Sequence, residues 1–145
     1  MRPRPIRSLA PLGLSLAAFA AVALAQDLKS PPAPEGAEVR IVSPQDGDTV
    51  GPEFTVVFGL AGMGVAPAGT DNELTGHHHL LVDADELPPL DQPMGNPPLH
   101  FGGGQTETVL TLEPGEHTLQ LVMGNYLHIP YDPQVASEKI TITVE

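Results

Sequence analysis

Three consecutive histidines, His77, His78 and His79, follow a glycine and lead directly into an apolar run of the sequence. If that run is a β-strand, its side chains alternate between two faces, so His77 and His79 share one face while His78 occupies the other. Alternate Cα atoms of a strand lie about 6–7 Å apart, a separation at which two imidazoles can converge on one divalent ion. The spacing therefore predicts His77 and His79 as paired metal ligands.

The apolar residues after the triplet indicate which face belongs to the core. Leu80 and Val82 share a face with His78, and this branched pair favours that face as the buried one. Leu81 lies on the face of the other two histidines and argues for the opposite assignment. Following Leu80 and Val82, we expect His78 to be packed or hydrogen-bonded and the other two to face the site.

Two more histidines lie where loops could bring them near the triplet. His100 precedes three consecutive glycines, which permit close backbone approach or positive φ, and His128 lies between the last two predicted strands. Loops at one end of a β-sandwich cluster in space. Neutral imidazoles without thiolates suit Zn²⁺ or Cu²⁺, and a methionine thioether would favour Cu(I). The thioethers available are those of Met63, Met94 and Met123. The predicted ligand set is His77, His79, His100 and His128.

Two other interpretations of the histidine cluster stay open at this point. The imidazoles could form a hydrogen-bonded structural cluster, or they could line a pocket for an organic ligand. A metal site needs neutral imidazole, so its affinity should fall as the pH drops through about 6.5. The sixth histidine, His117, stands at the start of a later strand, and we predict a structural role for it.

Other catalytic chemistry has few candidates. Asp83, Asp85 and Glu86 could offer oxygen ligands to Ca²⁺, but the EF-hand spacing is absent and a solvated acidic rim is favoured. No nucleophile elbow, phosphate-binding loop or zinc-protease motif occurs. A three-histidine metal with an open position could activate water, but no general base stands out beyond Glu107 or Asp83, which no motif supports. We therefore expect a protein without catalytic activity.

The elements that must position these residues are short β-strands. Period-2 alternation and β-branched residues, separated by Gly, Pro and Asp clusters, predict strands in the runs 39–42, 54–60, 77–83, 106–112, 117–123 and 139–144. Six or seven such strands predict a small antiparallel β-sandwich, an all-β fold. Two Gly- and Pro-rich connections, 61–76 and 84–104, are too long for simple hairpins, and long loops of this kind are usually functional or disordered.

The N-terminal part of the chain has a different composition. Three arginines, an apolar run and an Ala-Leu-Ala sequence predict a secretory signal peptide over residues 1–25. The run is too short for a membrane span, and no membrane span is expected after cleavage. Residues 26–37 are polar and Pro-rich and are predicted to be a flexible leader, so the domain occupies residues 38–145. We expect a soluble periplasmic or secreted bacterial protein.

Charge and composition exclude several classes of partner and site. The net charge is −12, and the predicted mature chain keeps only Lys29, Arg40 and Lys139 against 18 acidic residues. A phosphate-backbone partner would need a basic surface, so nucleic acid is excluded. Without cysteine there is no disulfide, no thiolate ligand and no lipoprotein anchor.

Four segments resemble one known family. These segments are SPQDGDTV (43–50), GLAGMGVAPAG (59–69), GHHHLLVD (76–83) and HFGGGQTE (100–107). Together they are similar to domain of unknown function family 4399, and the similarity covers roughly residues 39–144. The resemblance implies an exported, immunoglobulin-like β-sandwich of bacteria and assigns no activity.

These observations lead to two hypotheses of function. The first is a non-catalytic exported protein that binds Cu or Zn through its histidine cluster at one end of a β-sandwich. The second is a cell-envelope interaction module that binds a glycan, peptide or protein partner through its end loops, including Phe101. The second rests on analogy between folds. The sequence does not indicate the oligomeric state.

Overall fold

The computed structural model describes residues 28–145, so the predicted signal peptide lies outside the described residues. Within them the chain forms strands and no helix, and accordingly no helix long and apolar enough to cross a membrane is found there. The strands are β1 (Glu38–Ser43), β2 (Thr49–Val50), β3 (Glu53–Ala61), β4 (Gly64–Val65), β5 (Thr75–Val82), β6 (Leu99–His100), β7 (Glu107–Thr111), β8 (Gly115–Gly124) and β9 (Ile140–Val144).

The strands form two sheets. A three-stranded antiparallel sheet has the order β1-β3-β7, and a six-stranded sheet has the order β2-β9-β8-β5-β4, with β6 also paired to β5. In immunoglobulin domains strands A, B and E lie in one sheet and strands C, F and G in the other. If β1, β3 and β7 correspond to A, B and E, then β5, β8 and β9 take the places of C, F and G. The predicted all-β, immunoglobulin-like sandwich is therefore confirmed.

All six runs that alternation marked as strands are strands in the structure. The three additional elements, β2, β4 and β6, have two residues each, and β4 and β6 lie inside the two long predicted loops. A two-residue strand leaves no periodic pattern in the sequence, because it exists only through its pairing with a distant strand. Of these, β6 matters most for the site, since it carries His100.

The core lies between the two sheets. Alternate residues of β5 and β8 point inward, and Leu80 pairs with Leu121 in the register of these strands. They pack with Val56 and Phe58 of β3, and all four side chains are buried. Complete burial of side chains of this size stabilises the fold by about 1.5–3 kcal/mol each.

The described part of the predicted leader, residues 28–37, has defined partners. The Ser30 amide donates to Asp91 Oδ1 (2.7 Å), and the Asp91 amide donates to Ser30 Oγ (2.9 Å). Farther along, the Ala33 amide donates to the carbonyl of Asp132 (3.2 Å). These contacts attach the segment to two loops of the sandwich, although its composition predicted a flexible leader. Sequence composition does not reveal them, because each partner lies more than 50 residues away.

Candidate metal centre

The first two histidines of the site are placed by the pleat of β5. His77 and His79 lie on the outer face of the six-stranded sheet, with ring centroids 4.7 Å apart. His78 points to the opposite, inner face, where its ring lies 5.0 Å from that of Phe58. The face assignment expected from Leu80 and Val82 is therefore the one observed, and all three histidines are fully buried.

His100 joins the site through β6. It pairs with His79 in the antiparallel register of β5 and β6, so the two side chains leave the sheet on the same face, with ring centroids 5.2 Å apart. The His100 ring lies directly over Gly102, where an added Cβ would be 2.2 Å from His100 Cε1. Only a glycine at position 102 leaves the His100 ring in this place, because the backbone passes directly under the ring; this is the close approach that the glycine triplet suggested.

His128 reaches the site from the loop after β8. Its φ of 65° places it in the left-handed region, which a non-glycine residue adopts at an energetic cost. Asn125 holds this conformation: its Oδ1 accepts hydrogen bonds from the amides of Leu127 and Ile129, both at 2.9 Å. The His128 amide in turn donates to the carbonyl of Asn125 at 2.9 Å. These bonds therefore fix the backbone from which the His128 side chain projects.

The structure brings all four predicted ligands together. One ligand atom from each of His77, His79, His100 and His128 can be chosen so that all four lie within 4.8 Å of one another. One pair, His77 Nε2 and His128 Nδ1, is separated by 3.0 Å. In a tetrahedral centre with metal–nitrogen bonds of about 2.0–2.1 Å, neighbouring ligand atoms lie about 3.3 Å apart. Side-chain rotations that close the widest pair by roughly 1.5 Å would complete such a centre.

Two imidazoles of the cluster, His77 and His79, are neutral at pH 7. Burial, followed by repulsion from His128 and other neighbouring imidazoles, lowers the pKa of His77 to about 4. Burial and the same kind of repulsion lower the pKa of His79 to about 3. The pKa of His128 is lowered by burial and by His100. Their lone pairs are therefore free for a metal, and proton competition moves to lower pH than the value of about 6.5 expected for ordinary histidines.

Few of the buried ring nitrogens in this cluster take part in a hydrogen bond. Among the described residues, three buried ring nitrogens of the cluster have no hydrogen-bond partner, namely His77 Nδ1 and both nitrogens of His79. An unsatisfied buried polar atom costs about 1–3 kcal/mol. The only hydrogen bond among the four site imidazoles of the described chain joins His77 to His128. The protein therefore keeps a cluster in which buried ring nitrogens lack hydrogen-bond partners from its own chain.

His78 is buried for a different reason than its neighbours. Burial lowers its pKa to about 4, and the backbone at Gln105 opposes this only in part. The ring fills space between the sheets beside Phe58, and the ring of Phe101 also packs against Phe58, with centroids 5.0 Å apart. His78 acts here as a neutral core side chain, and it takes no part in the metal cluster.

A cavity opens beside the cluster. Its volume is about 720 Å³, and its walls include Met94, Asn96, Leu99, His100, Val109 and His128. His100 is exposed and His128 is half-buried, whereas the two histidines of β5 are covered. The cluster therefore has a closed side against the sheet and an open side that faces this cavity.

The acidic residues are not part of the site. In the described chain, the single group of metal-ligating side chains is the four-histidine cluster, so Asp83, Asp85 and Glu86 do not converge. Asp83 Oδ2 instead accepts a hydrogen bond from His117 Nδ1 at 2.8 Å, and Asp83 Oδ1 accepts one from the Thr118 amide at 2.8 Å. His117 also contacts the carbonyl of Glu113 at 2.9 Å. These bonds agree with the structural role predicted for His117.

Sequence reasoning did not find the residues that support the ligands. Asn125 and Gly124 gave no signal of their own, although Asn and Gly in a loop often mark a special backbone conformation. At Gly124 an added Cβ would lie 2.8 Å from His79 Cε1, so this glycine makes room for a ligand ring. Its role becomes visible only through the pairing of Gly124 with His77 across the sheet.

The fold and site together define an immunoglobulin-like β-sandwich with four histidines beneath its loops. The chain belongs to the family described as Domain of unknown function (DUF4399), whose sequence model matches residues 56–145. The match begins within β3 and includes all four histidines, so it confirms the family resemblance over that region.

Comparison with other proteins adds little to this assignment. A solved structure described as "Structures of Clostridium thermocellum CbhA fibronectin(III)-like modules" aligns with a TM-score of 0.35 and 11% identity, covering 73% of this chain and 92% of that chain. No curated protein matches the chain.

Proposed function

We propose that this protein is a non-catalytic exported metal-binding protein that holds one Cu or Zn ion through His77, His79, His100 and His128. The observation that carries the proposal is the convergence of four ligand atoms within 4.8 Å of one another. Imidazole-only sites suit both metals, and no cysteine is present to shift the preference toward a thiolate site.

The hydrogen-bonding state of the cluster supports a metal more than a structural role. A structural histidine cluster should satisfy its own buried donors and acceptors. Among the described residues, one hydrogen bond, His77 to His128, joins rings of the cluster, while His77 Nδ1 and both nitrogens of His79 are buried without a partner. A metal ion accepts one lone pair from each ring and so satisfies one nitrogen of each. The low pKa values of His77 and His79 keep these lone pairs available at neutral pH.

Export and surface charge fit the same proposal. The predicted signal peptide at residues 1–25 would deliver the protein to the periplasm or the exterior. The chain carries 18 acidic residues against six basic ones, and a negative surface raises the local concentration of cations. The ligand set itself contains no carboxylate, so the acidic residues contribute through the long-range field.

Metal titration of the mature domain tests the proposal. Calorimetry and native mass spectrometry with Cu²⁺ and Zn²⁺ should show one ion per chain, and the triple variant His77→Ala/His79→Ala/His100→Ala should lose this uptake. The matched control is His117→Ala, which removes a histidine outside the cluster and should bind as the wild type does. No stoichiometric uptake by the wild type, or unchanged uptake by the triple variant, would contradict the proposal.

The alternative is an envelope interaction module. A second cavity of about 510 Å³ is lined by Leu87, Pro88, Pro93 and neighbouring loop residues, and could accept a partner. Phe101, however, is buried against Phe58, so it offers no exposed ring to a glycan. Capture of an envelope partner that persists in the presence of chelator would favour this alternative over metal binding.

A further inference from the structure

We propose that the thioether of Met94 is an additional ligand on the open side of the four-histidine cluster, and that it makes the centre selective for copper by retaining Cu(I). This inference rests on the proposed metal-binding function and names the metal. It assigns a role to one of three methionines that the sequence alone leaves equivalent.

The structure separates the three methionines by location. Met123 is fully buried in the core and pairs with His78, on the inner face of the sheet. The Met63 methyl lies 3.2 Å from the position of an added Cβ on Gly76, which shares the inner face with His78. Both thioethers are therefore on the side of the sheet away from the cluster.

Met94 lies on the outer face, beside the ligands. Its methyl carbon and His79 Cε1 each lie 2.8 Å from the same point, the position of an added Cβ on Gly124. The methyl and the imidazole are therefore neighbours above this glycine. The Cα of His128 lies 3.3 Å from that point as well. The methionine side chain thus reaches the space that two of the ligands occupy.

The backbone of Met94 is attached to a ligand. Its amide donates a hydrogen bond of 2.8 Å to the carbonyl of His128. The segment that carries the thioether and the loop that carries His128 are held together by this bond. Met94 also lines the cavity on the open side of the cluster, together with His100 and His128. The side chain that carries the thioether therefore lies on the open side of the cluster, next to His79 and His128.

The ligand chemistry then distinguishes the metals. Thioether sulfur is a soft ligand that binds Cu(I) well, whereas Zn²⁺ sites in proteins use thiolate, imidazole or carboxylate ligands. Imidazole ligands suit Cu(II) and Zn²⁺ alike, so the sulfur is the group that separates the two metals. We expect the thioether to contribute to Cu(I) affinity and to leave Zn²⁺ affinity nearly unchanged.

The test compares Met94→Leu with Met63→Leu in the full mature domain. Leucine has a similar volume and no sulfur, so packing changes little in either variant. Cu(I) affinity is measured anaerobically by competition with a chromophoric chelator, and Zn²⁺ affinity by competition with a fluorescent one. Met94→Leu should weaken Cu(I) binding by roughly tenfold or more and leave Zn²⁺ within about threefold, while Met63→Leu should change neither.

X-ray absorption at the copper edge supplies a second readout. The Cu(I)-loaded wild type and Met63→Leu should show a sulfur scatterer that Met94→Leu lacks. The inference is overturned if Met94→Leu binds Cu(I) as the wild type does, if it loses Cu(I) and Zn²⁺ affinity equally, or if no sulfur scatterer is present. A wild type that binds neither metal would instead contradict the proposed function itself.

Discussion

Histidines lie beside both ends of β8, and their environments are opposite. At one end Gly124 adjoins the four-histidine cluster, and at the other His117 pairs with Asp83 at the surface. Seven residues separate the two positions along the strand, which corresponds to roughly 24 Å. In the cluster, burial lowers the pKa of His77 and His79. At His117 the hydrogen bond to Asp83, followed by that to Glu113, raises the pKa.

This contrast shows that a histidine's charge depends on what surrounds it. An imidazole buried among other imidazoles has no anion to stabilise its charged form, so it stays neutral and can act as a metal ligand. An imidazole beside a carboxylate favours its charged form and acts as a hydrogen-bond donor. The same residue type therefore serves a candidate metal centre at one end of the strand and a surface contact at the other.

The largest expected difference between the histidines at the two ends is their effect on the stability that the protein gains from bound metal. Free ligand at about 1,000 times its Kd stabilises the folded state by about 4 kcal/mol. Saturating Cu or Zn should raise the free energy of unfolding of the wild type and of His117→Ala by this order, as measured by urea unfolding. His77→Ala/His79→Ala should show no such gain. An equal gain in this double variant would place the binding outside the cluster.

The next effect is the pH dependence of the metal-free protein. Because the folded pKa values of His77 and His79, about 4 and about 3, lie below the unfolded value of 6.5, the unfolded chain binds more protons at acidic pH. The free energy of unfolding therefore keeps its full value above about pH 6.5, where these imidazoles are neutral in both states, and it decreases as the pH falls toward 4 and 3. Each unit of depression corresponds to about 1.4 kcal/mol.

Urea unfolding in the presence of chelator, between pH 7 and pH 4, checks this dependence. His79→Ala should flatten the loss of stability across that range, whereas His117→Ala should leave it in place. A wild type whose stability does not change between pH 6.5 and pH 4 would show that these imidazoles are not held neutral by the fold.

A smaller effect on metal affinity is expected from a substitution at Gly102, whose backbone lies under the His100 ring. In Gly102→Ala the new Cβ would collide with the His100 ring, so that ring must leave the position it holds in the cluster. We expect metal affinity to fall by roughly tenfold, about 1.4 kcal/mol. Gly95→Ala, in the same connection but with nothing within 4 Å of its Cβ, is the matched control. Calorimetric titration of both variants would reveal the difference, and equal affinities would show that the contact between Gly102 and the His100 ring does not set metal affinity.

The smallest effect belongs to the surface pair. The raised pKa of His117 means that its contribution to stability is present below pH 6.5 and is lost as the pH rises through the folded pKa. The exposed pair is screened by solvent, so Asp83→Asn should destabilise the protein by less than about 1 kcal/mol at pH 6. Thermal unfolding at pH 6 and pH 8 should show this loss shrink at the higher pH. Asn can still accept the bond from the Thr118 amide, so the charge is the main change.

Much of the sandwich follows from local pattern. The alternation in β5, β8 and β9 predicted their strands, because one face of each is buried and the side-chain period is two. The strands β2, β4 and β6 were not predicted, because two residues carry no period. The partners of Ser30 and Ala33 were missed for a related reason, since such contacts are set by the packing of loops.

The sequence by itself determined the ligand types and the pairing of His77 with His79, because strand geometry places alternate residues on one face. It also determined that no thiolate can take part, since the chain has no cysteine. Only the tertiary structure decided that Met94 lies at the cluster while Met63 and Met123 do not, because their faces depend on sheet pairing and loop packing. The tertiary structure also decided that His77 and His79 are neutral, because only the folded chain buries them among other imidazoles.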